Sequence, residues 1–387
     1  MPGLLPRGAA IPPFYVAEIG WKAMRRAREG LLALPMHIGE PTAGIPARAR
    51  AVAHDALDQR SSGYWHSHAL CERIAHDYRE QYGVDVAPER ILLTGGASAG
   101  LVAVFAALFA VGDRVGLARP GYAPYRNALQ ALGRVPVDLD CGAETDYRLL
   151  PASLDGLAEL LHGLIVASPA NPTGAMLDRA QLDALFARCR ADGTRIVSDE
   201  IYHGIAYGTE AVTALALDPE AIVVNSFSKR FRMPGWRLGW LVAPEACVER
   251  LSAYLINFFL TPTSVSQHAA LAAFDDTAEL EASVVGYAAN RARLIAALPA
   301  LGLSAIAPPD GAFYLYADVG HLTDDSISFA HRLLDETGVA IAPGIDFDPV
   351  DGHRFVRFSF ALSASELEQA IDLLVPWFAR QPRRDDR

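Results

Sequence analysis

Lysine is almost missing from this chain of 387 residues: of its 34 basic residues only Lys22 and Lys229 are lysines. Any chemistry that needs an amine nucleophile therefore has two candidates. Cysteine is scarce as well. Cys71, Cys141, Cys189 and Cys247 lie far apart and form no Cys-x-x-Cys pair, which excludes a disulfide framework and a zinc ribbon. No metal is expected, and this cysteine usage fits a reducing compartment, so the expected location is the cytoplasm. Basic charge is in deficit too. The 34 Lys and Arg face 45 Asp and Glu, a net charge of −11, which is the wrong sign for holding nucleic acid. The first residues, Met1 to Tyr15, show no long apolar stretch behind a basic start, so no secretory signal is read.

Long hydrophobic runs are also wanting. Ile91 to Gly112 carries no Asp, Glu, Lys or Arg and is long enough to cross a bilayer. Its first third, however, reads Ile91-Leu92-Leu93-Thr94 followed by Gly95-Gly96-Ala97-Ser98. That is a buried strand and a glycine turn, and the helix left over is too short to span. The run from Leu251 to Phe274 is broken by Thr261-Pro262-Thr263-Ser264. Both runs read as core, and no membrane span is expected.

What the chain does have is alternation. Short apolar runs at Arg90–Thr94, Arg114–Leu117, Leu164–Ala167, Arg195–Ser198 and Ala221–Asn225 are separated by helical patterns such as Ala99–Val111 and Arg179–Arg190. This is the pattern of β-α units and a mostly parallel sheet. After Leu251 a helical region runs to about Leu298. A mixed α+β tail follows, with apolar runs at Gly311–Tyr316, Val339–Gly344 and Arg354–Phe360. The expected architecture is a large α/β domain over 49–280 and a smaller α+β domain made from 1–48 and 281–387.

In open parallel sheets ligands bind beyond the carboxyl ends of the strands, and here those ends carry the chemistry. Gly95-Gly96-Ala97-Ser98 opens directly into a helix, so small residues and a helix N-terminus make a place for an anion. Ser168-Pro169-Ala170-Asn171-Pro172-Thr173-Gly174 follows the next such strand; its Asn serves equally as a turn cap. Arg195–Ser198 runs into Asp199-Glu200-Ile201-Tyr202, where an acid is as readily a helix cap as a catalytic group. Ala221–Asn225 ends in Ser226-Phe227-Ser228-Lys229, with Arg237 eight residues on. Together these ends supply an anion cradle (Gly96, Ala97, Ser98, Ser226, Ser228, Arg237), a carboxylate, an amide, a phenol and one amine. A phosphorylated aromatic aldehyde fits that inventory. Its phosphate takes the cradle, its aldehyde takes Lys229 and its ring nitrogen takes Asp199.

With these motifs the sequence resembles the class I/II aminotransferases of fold type I, which use pyridoxal 5′-phosphate. The resemblance runs from Ile38-Gly39-Glu40-Pro41 to Arg357. It also takes in Val111-Gly112-Asp113, Pro120-Gly121-Tyr122-Ala123-Pro124-Tyr125, Leu238-Gly239-Trp240 and Gly311-Ala312-Phe313-Tyr314. It implies a fold-type I α/β transferase that moves an amino group from an L-amino acid to a 2-oxo acid. Lys229 becomes the Schiff-base and proton-shuttling residue, its pKa lowered by burial beside Arg237. Asp199 pairs with the pyridinium nitrogen, Asn171 and Tyr202 with the ring 3-oxygen, and Tyr122 stacks on the ring. Arg357 and Gly39 take the substrate α-carboxylate, with Asn171 also beside the substrate. Tyr64 reaches the phosphate of a neighbouring subunit's cofactor, which implies a homodimer with shared active sites.

Three departures from the family pattern stand out. The stretch Gly63–Glu72 is shorter than usual and carries His66 and His68, which are either substrate contacts or a solvated loop. Phe347-Asp348 replaces the common Phe-Gly, and Ala97 replaces a second glycine. Between Arg90 and Arg114 no basic residue occurs, so the helix after the cradle offers no cation for a side-chain carboxylate. Ile11–Val16 and Tyr64-Trp65 suggest an apolar lid and a neutral or aromatic donor. Lyases and cyclising enzymes share this fold and motif set, and they remain the alternative.

Overall fold

A computed structural model of the chain describes residues 8–59 and 63–384. Residues 1–7 and 385–387 of the expected small domain, and 60–62 of the expected large one, lie outside the described part. The strands are β1 (Leu34–Met36), β2 (Ile91–Thr94), β3 (Arg114–Arg119), β4 (Val135–Asp140), β5 (Gly163–Ala167), β6 (Arg195–Asp199), β7 (Ile222–Ser226), β8 (Gly239–Val242), β9 (Tyr314–Asp318), β10 (Val339–Pro343) and β11 (Phe355–Ser359). They form a seven-stranded sheet in the order β2-β8-β7-β6-β5-β3-β4 and a four-stranded sheet in the order β1-β10-β11-β9.

In the larger sheet β4, β3, β5, β6 and β7 run parallel, while β8 lies antiparallel to both β7 and β2. The sheet is therefore mostly parallel, as the β-α alternation predicts. Its strands are near-continuous apolar runs because both faces are covered. Side chains alternate between two cores: Leu164, Val166, Ile196, Val223 and Val242 pack into one, and Ile165, Val197, Ile222, Val224 and Leu241 into the other. Two strands go beyond the sequence expectation. β4 is an edge strand, largely exposed and alternating with acids, so it lacks an apolar run. β8 is four residues long and hidden behind the Arg237 motif.

The helices start and stop where local chemistry directs. Arg179–Asp192 opens on a reciprocal capping box between Asp178 and Gln181 and closes on Gly193 at φ 71°, a left-handed cap that favours glycine. The uncharged run Ile91–Gly112 resolves into β2 and the helix Ala97–Leu108. Leu251–Phe274 is divided between helices that end at Phe259 and resume at Ser264. Among the described residues no helix is long and apolar enough to cross a membrane.

The smaller sheet packs its own core with helices Thr277–Leu301, Ser326–Thr337 and Ala364–Ala379 and with the first helix, α1 (Tyr15–Arg28). Strand β1 pairs in parallel with β10, so the chain's first segment returns to a sheet made by its last. This pairing carries the segment His37–Glu40 across the carboxyl ends of the larger sheet.

Candidate active site

The ends of β5, β6 and β7, the turn before Ala97–Leu108, the segment after β1 and strand β11 enclose a cavity of about 630 Å³. Lys229 lies on its floor, in the turn after β7. Its Nζ donates to the Gly39 carbonyl at 2.5 Å and lies 5.8 Å from the centre of the Tyr202 ring. The amine's pKa is lowered to about 8, first by burial and then by the Arg357 guanidinium. Arg237, the neighbour expected from sequence to matter most, contributes less, and Glu40 and Asp199 pull the other way. A buried amine with cations near it keeps a neutral fraction near pH 8, which a nucleophile and proton carrier requires.

Asp199 ends β6 and is 4% exposed. One carboxylate oxygen accepts from the Tyr125 hydroxyl at 2.5 Å and the other from the Ile201 N–H at 3.1 Å. Burial raises its pKa, against which these donors and Lys229 act. A carboxylate so placed gains from a cation brought opposite it. Its neighbour Glu200 faces away from the cavity, as alternation along an extended segment requires. Glu200 accepts from Ser198, Thr213 and the Ala214 N–H, and burial pushes it up to about 8. Of two adjacent acids, one thus serves the site and the other the packing behind it.

Of the six residues expected to form the anion cradle, Ala97, Ser98, Ser228 and Arg237 line the cavity, whereas Gly96 and Ser226 do not. Ala97 and Ser98 begin a helix whose first N–H groups have no intrahelical acceptor, and both line the cavity. Gly96, at φ 89°, is the residue before it; a Cβ there would lie 2.6 Å from Arg237 Nη2, so glycine is what admits the guanidinium. Arg237 is anchored by the Pro234 carbonyl at 2.9 Å and faces the cavity beside Ser228. Ser226 does not line the cavity. Its hydroxyl donates to the Leu238 carbonyl at 3.0 Å and accepts from the Ser228 N–H at 3.1 Å, so it fixes the turn that presents Ser228.

Across the cavity, Arg357 projects from β11, 3% exposed. Its Nη1 donates to Asn171 Oδ1 at 2.8 Å and its Nη2 to the His37 carbonyl at 2.5 Å. Its guanidinium carbon sits 4.3 Å from the Tyr314 ring centre and 4.7 Å from that of Phe347. Nε is buried and has no partner among the described residues. Tyr314 and Tyr202 join their hydroxyls at 2.6 Å. Gly39 has a steric reason to be glycine, because a Cβ would overlap the Tyr314 hydroxyl. Tyr122 lines the cavity and meets Tyr125 edge-on.

Some sequence candidates lie elsewhere. Tyr64 is 82% exposed and outside this cavity. His66 and His68 are outside it as well: His68 begins a helix capped by Ser67, and Gln267 bonds Ser67 and Trp65 to hold the loop. The unusual Asp348 has a structural partner. It pairs with Arg119 at 3.0 Å, and Asp140 and Asp351 join the same guanidinium. Sequence reasoning missed Tyr125, Tyr314 and His37. The first two stand inside family motifs, but nothing in a linear pattern distinguishes a tyrosine that holds Asp199 from one that lines the cavity.

Known proteins share this architecture. Residues 34–374 match the model of the family described as aminotransferase class I and II. The valine–pyruvate aminotransferase of Mycobacterium tuberculosis is 41% identical over 96% of this chain and 98% of its own length. The aspartate/prephenate aminotransferase of Thermus thermophilus is 31% identical over 96% of this chain and 98% of its own length. A crystal structure of an aminotransferase from Mycobacterium tuberculosis superposes with a TM-score of 0.94 at 41% identity, covering 98% of this chain and 100% of that one. The chain belongs to the class I and II aminotransferases, pyridoxal 5′-phosphate enzymes that carry an amino group between an amino acid and a 2-oxo acid.

Proposed function

We propose that this aminotransferase takes its amino group from a neutral, apolar L-amino acid. The observation that carries this reading is the distribution of charge around the cavity. Among the described residues its basic groups are Lys229, Arg237 and Arg357, apart from His37, which burial and then Arg357 hold down to about 4. Each basic group has a task in the arrangement proposed here, so none is left for a side-chain carboxylate. Glu40 on the same wall opposes one. Most of the remaining lining on that side is apolar and includes Val16, Ala17, Gly20, Trp21 and Met24 from α1 together with Ile38. The relative that bears the name valine–pyruvate aminotransferase supports the same reading.

The residues fit the cofactor. Arg237, Ser228 and the free N–H groups at the start of Ala97–Leu108, next to Gly96, would hold its phosphate. Asp199 would hold its ring nitrogen, Asn171 and Tyr202 its ring oxygen, and Tyr122 its face. Bound there, pyridoxal 5′-phosphate supplies a sink for the electrons left at the substrate α-carbon. The protein's own work is positioning and proton transfer. Arg357 fixes the α-carboxylate by a two-pronged contact, assisted by Asn171 and Gly39. Lys229 would take the proton from the substrate α-carbon and hold it as an ammonium group beside the cofactor. Tyr125 keeps Asp199 oriented.

We also propose that large and small domains meet near residues 48 and 280, and that the enzyme is a cytoplasmic homodimer. The four cysteines are all free, which suits a reducing compartment. Tyr64 and the apolar residues Ile256, Phe258, Phe259 and Leu260 are exposed, and Gln267 joins their segments by bonding the carbonyls of Trp65 and Pro262. A second copy covering this face would bring Tyr64 to its neighbour's phosphate site. Sedimentation of the purified protein, with Phe258→Glu as control, tests the dimer.

The test of function is spectroscopic. Single amino acids are added to the cofactor-loaded protein, and the loss of its visible band and its restoration by a 2-oxo acid are followed. Valine, leucine or phenylalanine converting faster than aspartate supports the reading. Aspartate leading the panel overturns the neutral-donor assignment.

A further inference from the structure

The apolar wall of the cavity is one face of α1, and α1 cannot cap itself. Its N-cap residue is Phe14, which has no side-chain acceptor, so the first N–H groups of the helix need partners from elsewhere. One carboxylate in a distant part of the chain supplies them. Asp346 Oδ1 accepts from the Tyr15 N–H at 2.9 Å and Oδ2 from the Val16 N–H at 2.6 Å. Asp346 is 5% exposed, so these bonds are shielded from water.

The location of Asp346 links this cap to the substrate. It sits in the turn after β10, next to Phe347, whose ring packs against the Arg357 guanidinium. Phe347 and Val16 belong to one small core with Tyr316, Ala342 and Ala307. The same turn therefore supports the arginine assigned to the α-carboxylate and the helix assigned to the donor side chain.

We propose that Asp346 is a positioning residue for donor selectivity: by capping α1 it sets the gap between Arg357 and the apolar wall. It touches neither substrate nor cofactor and acts through the helix. The proposal rests on the reading that Arg357 binds the donor's α-carboxylate and that α1 faces its side chain. Apolar pockets discriminate by roughly tenfold or more per methylene when the wall is fixed, and a loosened wall forfeits that discrimination.

The test has two arms on the cofactor-loaded protein. In the first, amide hydrogen exchange across Tyr15–Arg28 is compared for the wild type, Asp346→Ala and Asp346→Asn, with no substrate present. The expected result is exchange at least about tenfold faster in Asp346→Ala, with Asp346→Asn in between because it keeps one accepting oxygen. In the second arm kcat and KM are measured for alanine and leucine. The expected result is a fall of about tenfold in the leucine-to-alanine ratio of kcat/KM, carried by KM for leucine. A cap that merely stabilises the fold would leave that ratio unchanged, and an unchanged ratio overturns the proposal. Unchanged exchange overturns it as well. If Asp346→Ala does not fold, Asp346→Asn decides both arms. A wild type that transfers no amino group refutes the functional reading on its own, while the exchange arm still judges the cap.

Discussion

The floor and the wall of the cavity are held by different means. On the floor, Lys229, Asp199 and Ser228 stand on turns at the ends of adjacent strands of the large sheet, and each has a hydrogen-bond partner. The wall is mainly one helix, joined to the small sheet by β1 at one end and by the Asp346 cap at the other. In the binding mode proposed above, the floor would meet groups common to every amino acid donor, whereas the wall would meet only the part that differs between donors. Changes to the floor should therefore lower activity alike for all donors, and changes to the wall should alter their ranking.

The largest effect expected on the floor is that of Lys229→Ala. Lys22, the other lysine, pairs with Asp335 and lies outside the cavity, so it offers no substitute amine. Amino-group transfer should drop by roughly 10⁴-fold or more, equally for leucine and alanine, in a single-turnover absorbance assay. A residual rate that kept its donor ranking and fell by only a few-fold would mean that another group moves the proton.

Arg357→Lys comes next. The planar fork that bonds Asn171 and the His37 carbonyl and stacks between Tyr314 and Phe347 is replaced by a point charge. KM should rise roughly a hundredfold for every donor, with kcat changed less. A selective loss for large donors alone would place Arg357 among the groups that rank donors and overturn its assignment to the α-carboxylate.

Tyr125→Phe is a smaller change on the same floor. It removes one donor to a buried carboxylate and leaves the ring in place. Activity should fall roughly ten- to a hundredfold, because a hydrogen bond to a charged group contributes about 1.5–3 kcal/mol. Steady-state rates with two donors check that the loss is uniform.

The sequence was most legible where chemistry depends on one residue at one turn. Lys229 was conspicuous because lysine is nearly absent, and Asp199 and Asn171 were visible because each stands at or just past the end of an apolar strand. The parallel character of β3, β5, β6 and β7 was readable from apolar runs that need both faces covered. The hidden part depends on contacts distant in sequence. Tyr125 acts on a residue 74 positions away, and the Asp346 cap acts on one 331 positions away. Phe347-Asp348 read only as a departure from a pattern until Arg119 appeared opposite Asp348. The role proposed for Tyr64 lies across a subunit boundary, which one chain's cavity does not contain.

The smallest effect separates the chemistry of Lys229 from its cost to the fold. Its folded pKa of about 8 lies below the ordinary lysine value of 10.5, so between those limits the unfolded chain binds more protons than the native one. Stability must then rise with pH across that window, and the unfavourable contribution of the buried cation is fully present below about pH 8. Lys229→Met removes the titrating group and keeps an unbranched chain in its place. In the cofactor-free protein the variant should melt a few degrees higher than wild type at pH 7, with the difference shrinking as pH approaches 10. Melting curves at several pH values decide the matter. A difference that stays constant from pH 7 to 10 would show that Lys229 keeps an ordinary lysine pKa in the folded protein, so that the amine is still charged at pH 7 and proton transfer by it needs a rise in pH.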